Sequence, residues 1–86
     1  MATTKEQMMA VAKASGVGRV WEHPSADEVR IYFDTHFATL TPSDVVCDGV
    51  TQDAIIIDVA KAIPRRGHVR TQIADAARTA GLYPRL

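Results

Sequence analysis

The chain has 86 residues, is formally neutral at pH 7, and is 47% hydrophobic and 23% charged. That length is one domain, 1–86, with one modest core, and the composition sets aside disordered, collagenous and disulfide-stapled classes. No apolar run approaches the ~20 residues of a membrane span. The opening residues lack the charged-then-apolar build of a secretory signal, and the single cysteine, Cys47, fits a reducing compartment. The expectation is a cytoplasmic domain with no membrane partner.

The first segment predicts a helix. Thr3 and Glu6 stand at capping-box spacing, Met8, Val11 and Ala12 form an apolar stripe that Ser15 continues, and Gly16 is a left-handed stop. Two strand-like runs follow, 17–23 and 28–34, around the turn chemistry of "PSAD". Strand side chains alternate between faces, so Val20, Val29, Ile31 and Phe33 point inward. Arg19, Trp21, Arg30, Tyr32 and Asp34 then share the outer face. That face either meets solvent and a partner or lies under a helix.

"THFATLTP" reads as a short third strand. Thr41, Pro42 and Asp44 suit the start of a short helical turn that Gly49 must end. Ile55, Ile56 and Ile57 have strand propensity, yet Ile55, Ile56, Val59, Ala60 and Ile63 also make a helical stripe between Asp53 and Pro64. The stripe favours a helix over 52–63. Val69, Ile73, Ala76, Ala77 and Ala80 line one side of a final helix, which Gly81, Leu82 and Pro84 terminate. The expected fold is α+β: a small antiparallel β-hairpin or sheet packed against an N-terminal helix and two to three C-terminal helices.

Little in the chain points to catalysis. There is no glycine-rich phosphate loop, no Cys-x-x-Cys and no nucleophile elbow, and His23, His36 and His68 are scattered. Asp34, His36, Asp44, Cys47 and Asp48 carry metal-ligating atoms at a spacing that matches no metal motif. Cys47, behind Val45 and Val46, reads as a small buried hydrophobe rather than a nucleophile. No enzyme activity, metal or cofactor is expected.

Charge is divided along the chain. Residues 1–58 carry four basic against nine acidic groups, a net of −5, and residues 59–86 carry six basic groups against Asp75 alone, a net of +5. Such asymmetry points to a charged partner or to mutual neutralisation across the fold. Arg19, Trp21, Arg30 and Tyr32 are residue types that anchor protein interfaces or stack on bases, and Glu28 and Asp34 flank them. The acidic stretch from Glu22 to Asp58 can steer a basic partner. In size and charge layout, with no motif behind it, the chain is similar to small phage or mobile-element accessory proteins, anti-CRISPR inhibitors among them. That resemblance implies an inhibitor or accessory protein that docks on a nucleic-acid-handling assembly.

The alternative is direct binding to nucleic acid, as a DNA-binding transcriptional regulator. "QIADAARTAGLY" resembles the first helix and turn of a helix-turn-helix. Since the recognition helix of that motif would follow Gly81, the final helix would itself have to read DNA, with 52–63 leading in. Arg65, Arg66, Arg70, Gln72 and Arg78 would then make the contacts, in a homodimer because one small helix gives little affinity. Against this, a DNA binder of this size is usually net basic.

Overall fold

A computed structural model of the chain describes residues 3–86. The element order is α1 (Lys5–Ser15), β1 (Arg19–Glu22), β2 (Val29–Phe33), β3 (His36–Cys47), β4 (Val50–Val59), α2 (Arg66–Thr79) and β5 (Tyr83–Arg85). The five strands form one sheet in the order β1-β2-β3-β4-β5, antiparallel except for the last pair, where β5 returns parallel to β4 after α2. The fold is therefore α+β, as expected, but with one C-terminal helix instead of two or three. Among the described residues no helix is long and apolar enough to cross a membrane.

The expected capping box is present one residue later than the sequence suggested. Thr4 accepts from the Gln7 amide at 3.2 Å, and Gln7 Oε1 accepts from the Thr4 amide at 2.7 Å. Thr3 is instead buried, its hydroxyl donating to the Ala54 carbonyl at 2.7 Å, so a long-range bond displaces it from the cap. Met8, Val11, Ala12 and Ser15 are buried and Gly16 is the left-handed C-cap, as the stripe predicts.

The main departure lies between residues 41 and 63. Instead of a helical turn and a helix, β3 and β4 form a long hairpin closed by Asp48 and Gly49. Both turn residues have positive φ, 51° and 79°, the conformation that matches the twist of a two-residue hairpin. Asp-Gly between valine-rich runs is the signal that outweighs the helical stripe. Once paired, β4 buries Ile55, Ile57 and Val59 at period two and turns Ile56 outward, while Ile63 reaches the core from the loop beyond. Pro42 is accepted within β3 because β2 pairing has ended at Val29↔Leu40, leaving that stretch bonded on one side.

The core is one cluster between the sheet and the two helices. It joins Met8, Val11 and Ala12 of α1, Val69, Ile73, Ala74 and Ala77 of α2, the inward residues of β2, β3 and β4, and Leu82. Both helices lie on the same face of the sheet, α1 against β1, β2 and β3, and α2 against β4 and β5. The result is two layers, and among the described residues no helix covers the second face of the sheet.

Gly18 ties β1 to this body by close backbone approach. A Cβ there would collide with the Tyr32 carbonyl oxygen and press on the Phe33 Cβ, neither of which can swing away. Gly18→Ala is expected to cost about 1–3 kcal/mol of stability. The loss would be read as a lower urea midpoint and faster amide exchange in β1.

Candidate docking face

The alternation of β1 and β2 carries the predicted set to the uncovered side. The register places Arg19 beside Tyr32 and Trp21 beside Arg30, and continues to Tyr32↔Phe37, Arg30↔Thr39, Thr39↔Asp58 and Thr41↔Ile56. Trp21, Tyr32, Phe37 and Ile56 are 36–43% exposed; the three aromatics touch one another, and Ile56 lies on the same face beyond Thr39 and Asp58. At the far side Tyr83 and Arg85 share the face, and Arg85 Nη1 donates to Ser43 Oγ at 2.7 Å.

Arg30 organises the centre. Its Nε donates to Glu28 Oε2 at 2.8 Å and its Nη1 to the Tyr32 hydroxyl at 3.2 Å. The guanidinium carbon lies 5.1 Å from the Trp21 ring centroid and 4.8 Å from that of Phe37, so both rings offer it their π-electrons. The Tyr32 hydroxyl first, and the Glu28 carboxylate second, raise its pKa above the ordinary arginine value. Trp21 meets Tyr32 edge-on at 6.4 Å, and Tyr32 meets Phe37 at 5.5 Å. These contacts hold the aromatic rings and the guanidinium against one another.

Of the six residues predicted for a partner, Arg19, Trp21, Arg30 and Tyr32 come together here, and half-buried Glu28 supports Arg30. Asp34 does not join them. It sits in the turn between β2 and β3 with φ 52°, where strand alternation has already stopped. Phe37, Ile56, Tyr83 and Arg85 were missed. For Phe37 the signal was the period-two pattern of "HFATL"; for Ile56 it lay in the same period within "IIID", hidden by the helical reading.

The basic set predicted for nucleic acid is dispersed. Arg66 Nε donates to the Val59 carbonyl at 2.7 Å, Arg78 pairs with Asp75 at 3.1 Å, and Gln72 Nε2 reaches the Ser15 carbonyl at 3.5 Å. Arg65 takes a left-handed conformation at the N-cap of α2. Arg70 and Gln72, two residues apart on a helix, point about 160° apart around its axis. The lead-in helix this arrangement required is strand β4, so α2 has no helix-turn-helix partner.

The acidic residues spread from the β2–β3 turn at Asp34 to the hairpin tip at Asp48, with Asp44 and Asp53 opposite each other between them. His36 and Cys47 lie at opposite ends of β3, roughly 35 Å of extended strand apart. Among the described residues no group of three His, Cys, Asp or Glu side chains is placed to hold a metal ion. Cys47 is exposed near the tip, not buried: its two valine neighbours lie on a hairpin that projects past the helices. His23 Nδ1 accepts the Ser25 and Ala26 amides at 3.1 and 2.8 Å and so shapes the loop after β1.

No protein-family model, curated protein or solved structure matches the chain.

Proposed function

We propose that this chain is a non-enzymatic interaction protein that docks through its open sheet face on a protein partner within a nucleic-acid-handling assembly. The observation that carries the docking reading is the one-sided helix layer, which leaves Trp21, Tyr32 and Phe37 uncovered around a pre-ordered arginine, with Ile56 farther along the same face. Aromatic residues and arginine in a clustered patch are the composition of protein interface hot spots. The partner's setting rests on the similarity in size and charge layout to phage and mobile-element accessory proteins and inhibitors, not on the face itself.

Electrostatics favour protein over nucleic acid on this surface. Arg30 already has Glu28 as counter-ion and an aromatic ring on two sides, which leaves it little capacity to stack on a base or neutralise a phosphate. Asp58 lies on the same face. Nucleic-acid surfaces need a net positive footprint and lose affinity steeply as salt rises. In an anisotropy titration with labelled duplex DNA and single-stranded RNA, at low and physiological salt, no saturable binding is expected. Saturable binding that weakens with salt would overturn the protein reading and favour direct nucleic-acid recognition.

A further inference from the structure

We infer that the partner is engaged by strand addition: an extended, acidic peptide segment pairs with the free edge of β1 and lays its side chains on the open face. This rests on the docking reading above and names the chemistry of what docks. β1 is an edge of the sheet, with β2 on one side and, among the described residues, no strand on the other. The bond from the His23 amide to the Glu28 carbonyl, 3.0 Å, makes that pair a hydrogen-bonded one. Stepping by two along the antiparallel register, Trp21↔Arg30 and Arg19↔Tyr32 are hydrogen-bonded pairs as well. Val20 and Glu22 therefore direct their backbone N–H and C=O groups outward, at the spacing a further strand needs.

The two edges of the sheet differ. β5 is three residues long and carries Pro84, which has no N–H to offer. β1 holds no proline. Beside it lies an open hollow of about 390 Å³ lined by Arg19, Val20, Trp21 and Tyr32. Arg19 is exposed there with no carboxylate partner among the described residues, whereas Arg30 next to it is already paired with Glu28 and bonded to Tyr32. A strand added to β1 places alternate side chains on the open face. One of them meets Arg19 and the next on that face meets Trp21. The complementary ligand is thus a carboxylate followed two residues later by an apolar side chain, held by main-chain bonds with specificity from alternate positions.

The test uses fluorescein-labelled Glu-Thr-Leu-Thr-Glu-Thr-Leu-Thr and its counterpart with lysine for glutamate, titrated against the whole chain by anisotropy. The glutamate peptide is expected to bind at least tenfold more tightly than the lysine peptide, and Arg19→Glu to reverse that preference. Glu22→Pro removes an outward N–H at an exposed edge position and is expected to cut binding at least tenfold with an unchanged circular dichroism spectrum. Amide exchange at Val20 and Glu22 in the unaltered protein is expected to slow when the glutamate peptide is present, and this decides the matter should Glu22→Pro fail to fold. Absence of binding at millimolar peptide, equal affinity for both peptides, or unaltered exchange at Val20 and Glu22 would overturn strand addition. So would a dimer seen by sedimentation that Glu22→Pro disperses, since the occupant would then be a second copy of this chain. Binding lost in Trp21→Ala but kept in Glu22→Pro would sink strand addition and leave the face reading standing. Binding lost in Glu22→Pro but kept in Trp21→Ala would do the reverse.

Discussion

Ile31→Ala should remove about 3 kcal/mol of stability, within the range for truncating a fully buried isoleucine. Ile31 is wholly buried in β2, between Val20 and Ala38 in register, and belongs to the same cluster as Met8, Val11 and Ile73. The loss combines the transfer free energy of the missing carbons with a cavity that two rigid layers cannot collapse to fill. A domain of this length has roughly 4–13 kcal/mol in total, so the variant gives up a quarter to most of it. The melting temperature should fall by about 12–24 °C, at about 4–8 °C per kcal/mol for a chain of this size. Urea denaturation followed by circular dichroism, with an unchanged slope and a lower midpoint, is the measurement. A shift of less than about 1 kcal/mol would mean that the sheet and helices are not packed as described.

Trp21→Ala should do the opposite, sparing the fold and abolishing docking. Trp21 is 38% exposed and faces away from the helices, so its removal forfeits the contact with Arg30, worth about 1 kcal/mol or less at an exposed site. Binding should weaken by about 2–4 kcal/mol, the scale of an interface hot spot, which is about 30- to 1000-fold. The check is a pair of measurements on one sample: a urea midpoint close to that of the unaltered protein, and loss of the proteins that co-purify with it, quantified by mass spectrometry. Unfolding of the variant would show that Trp21 holds the structure together and does not serve as an anchor.

Ile31 and Trp21 also mark what could be read from the sequence. Period-two alternation in β1 and β2 separated inward from outward residues correctly, because each strand is short and flanked by turn residues. The α1 stripe and the final helix were legible for a similar reason, since only one period fitted them. At Ile55, Ile56 and Ile57 both periods fitted, and the local window favoured the helical one that the structure overturns. The choice was made by pairing with β3, a partner fixed by the Asp48–Gly49 turn. β5 was invisible because three residues around Pro84 show no strand pattern of their own; they become a strand by lying against Ala54, Ile55 and Ile56. The candidate face was half legible. Its β1 and β2 members came from local alternation, and the Phe37 and Ile56 members needed the hairpin first.

Trp21 is the only tryptophan of the chain, and it stands on the open face under a guanidinium instead of in the core. Its emission therefore reports on the sheet surface. Heating or denaturant will change that signal when β1 leaves β2, whether or not the core around Ile73 has yet opened. An occupant that dries the ring should move the emission to shorter wavelength with no attached dye, so the molecule carries its own optical gauge at the place where docking is proposed.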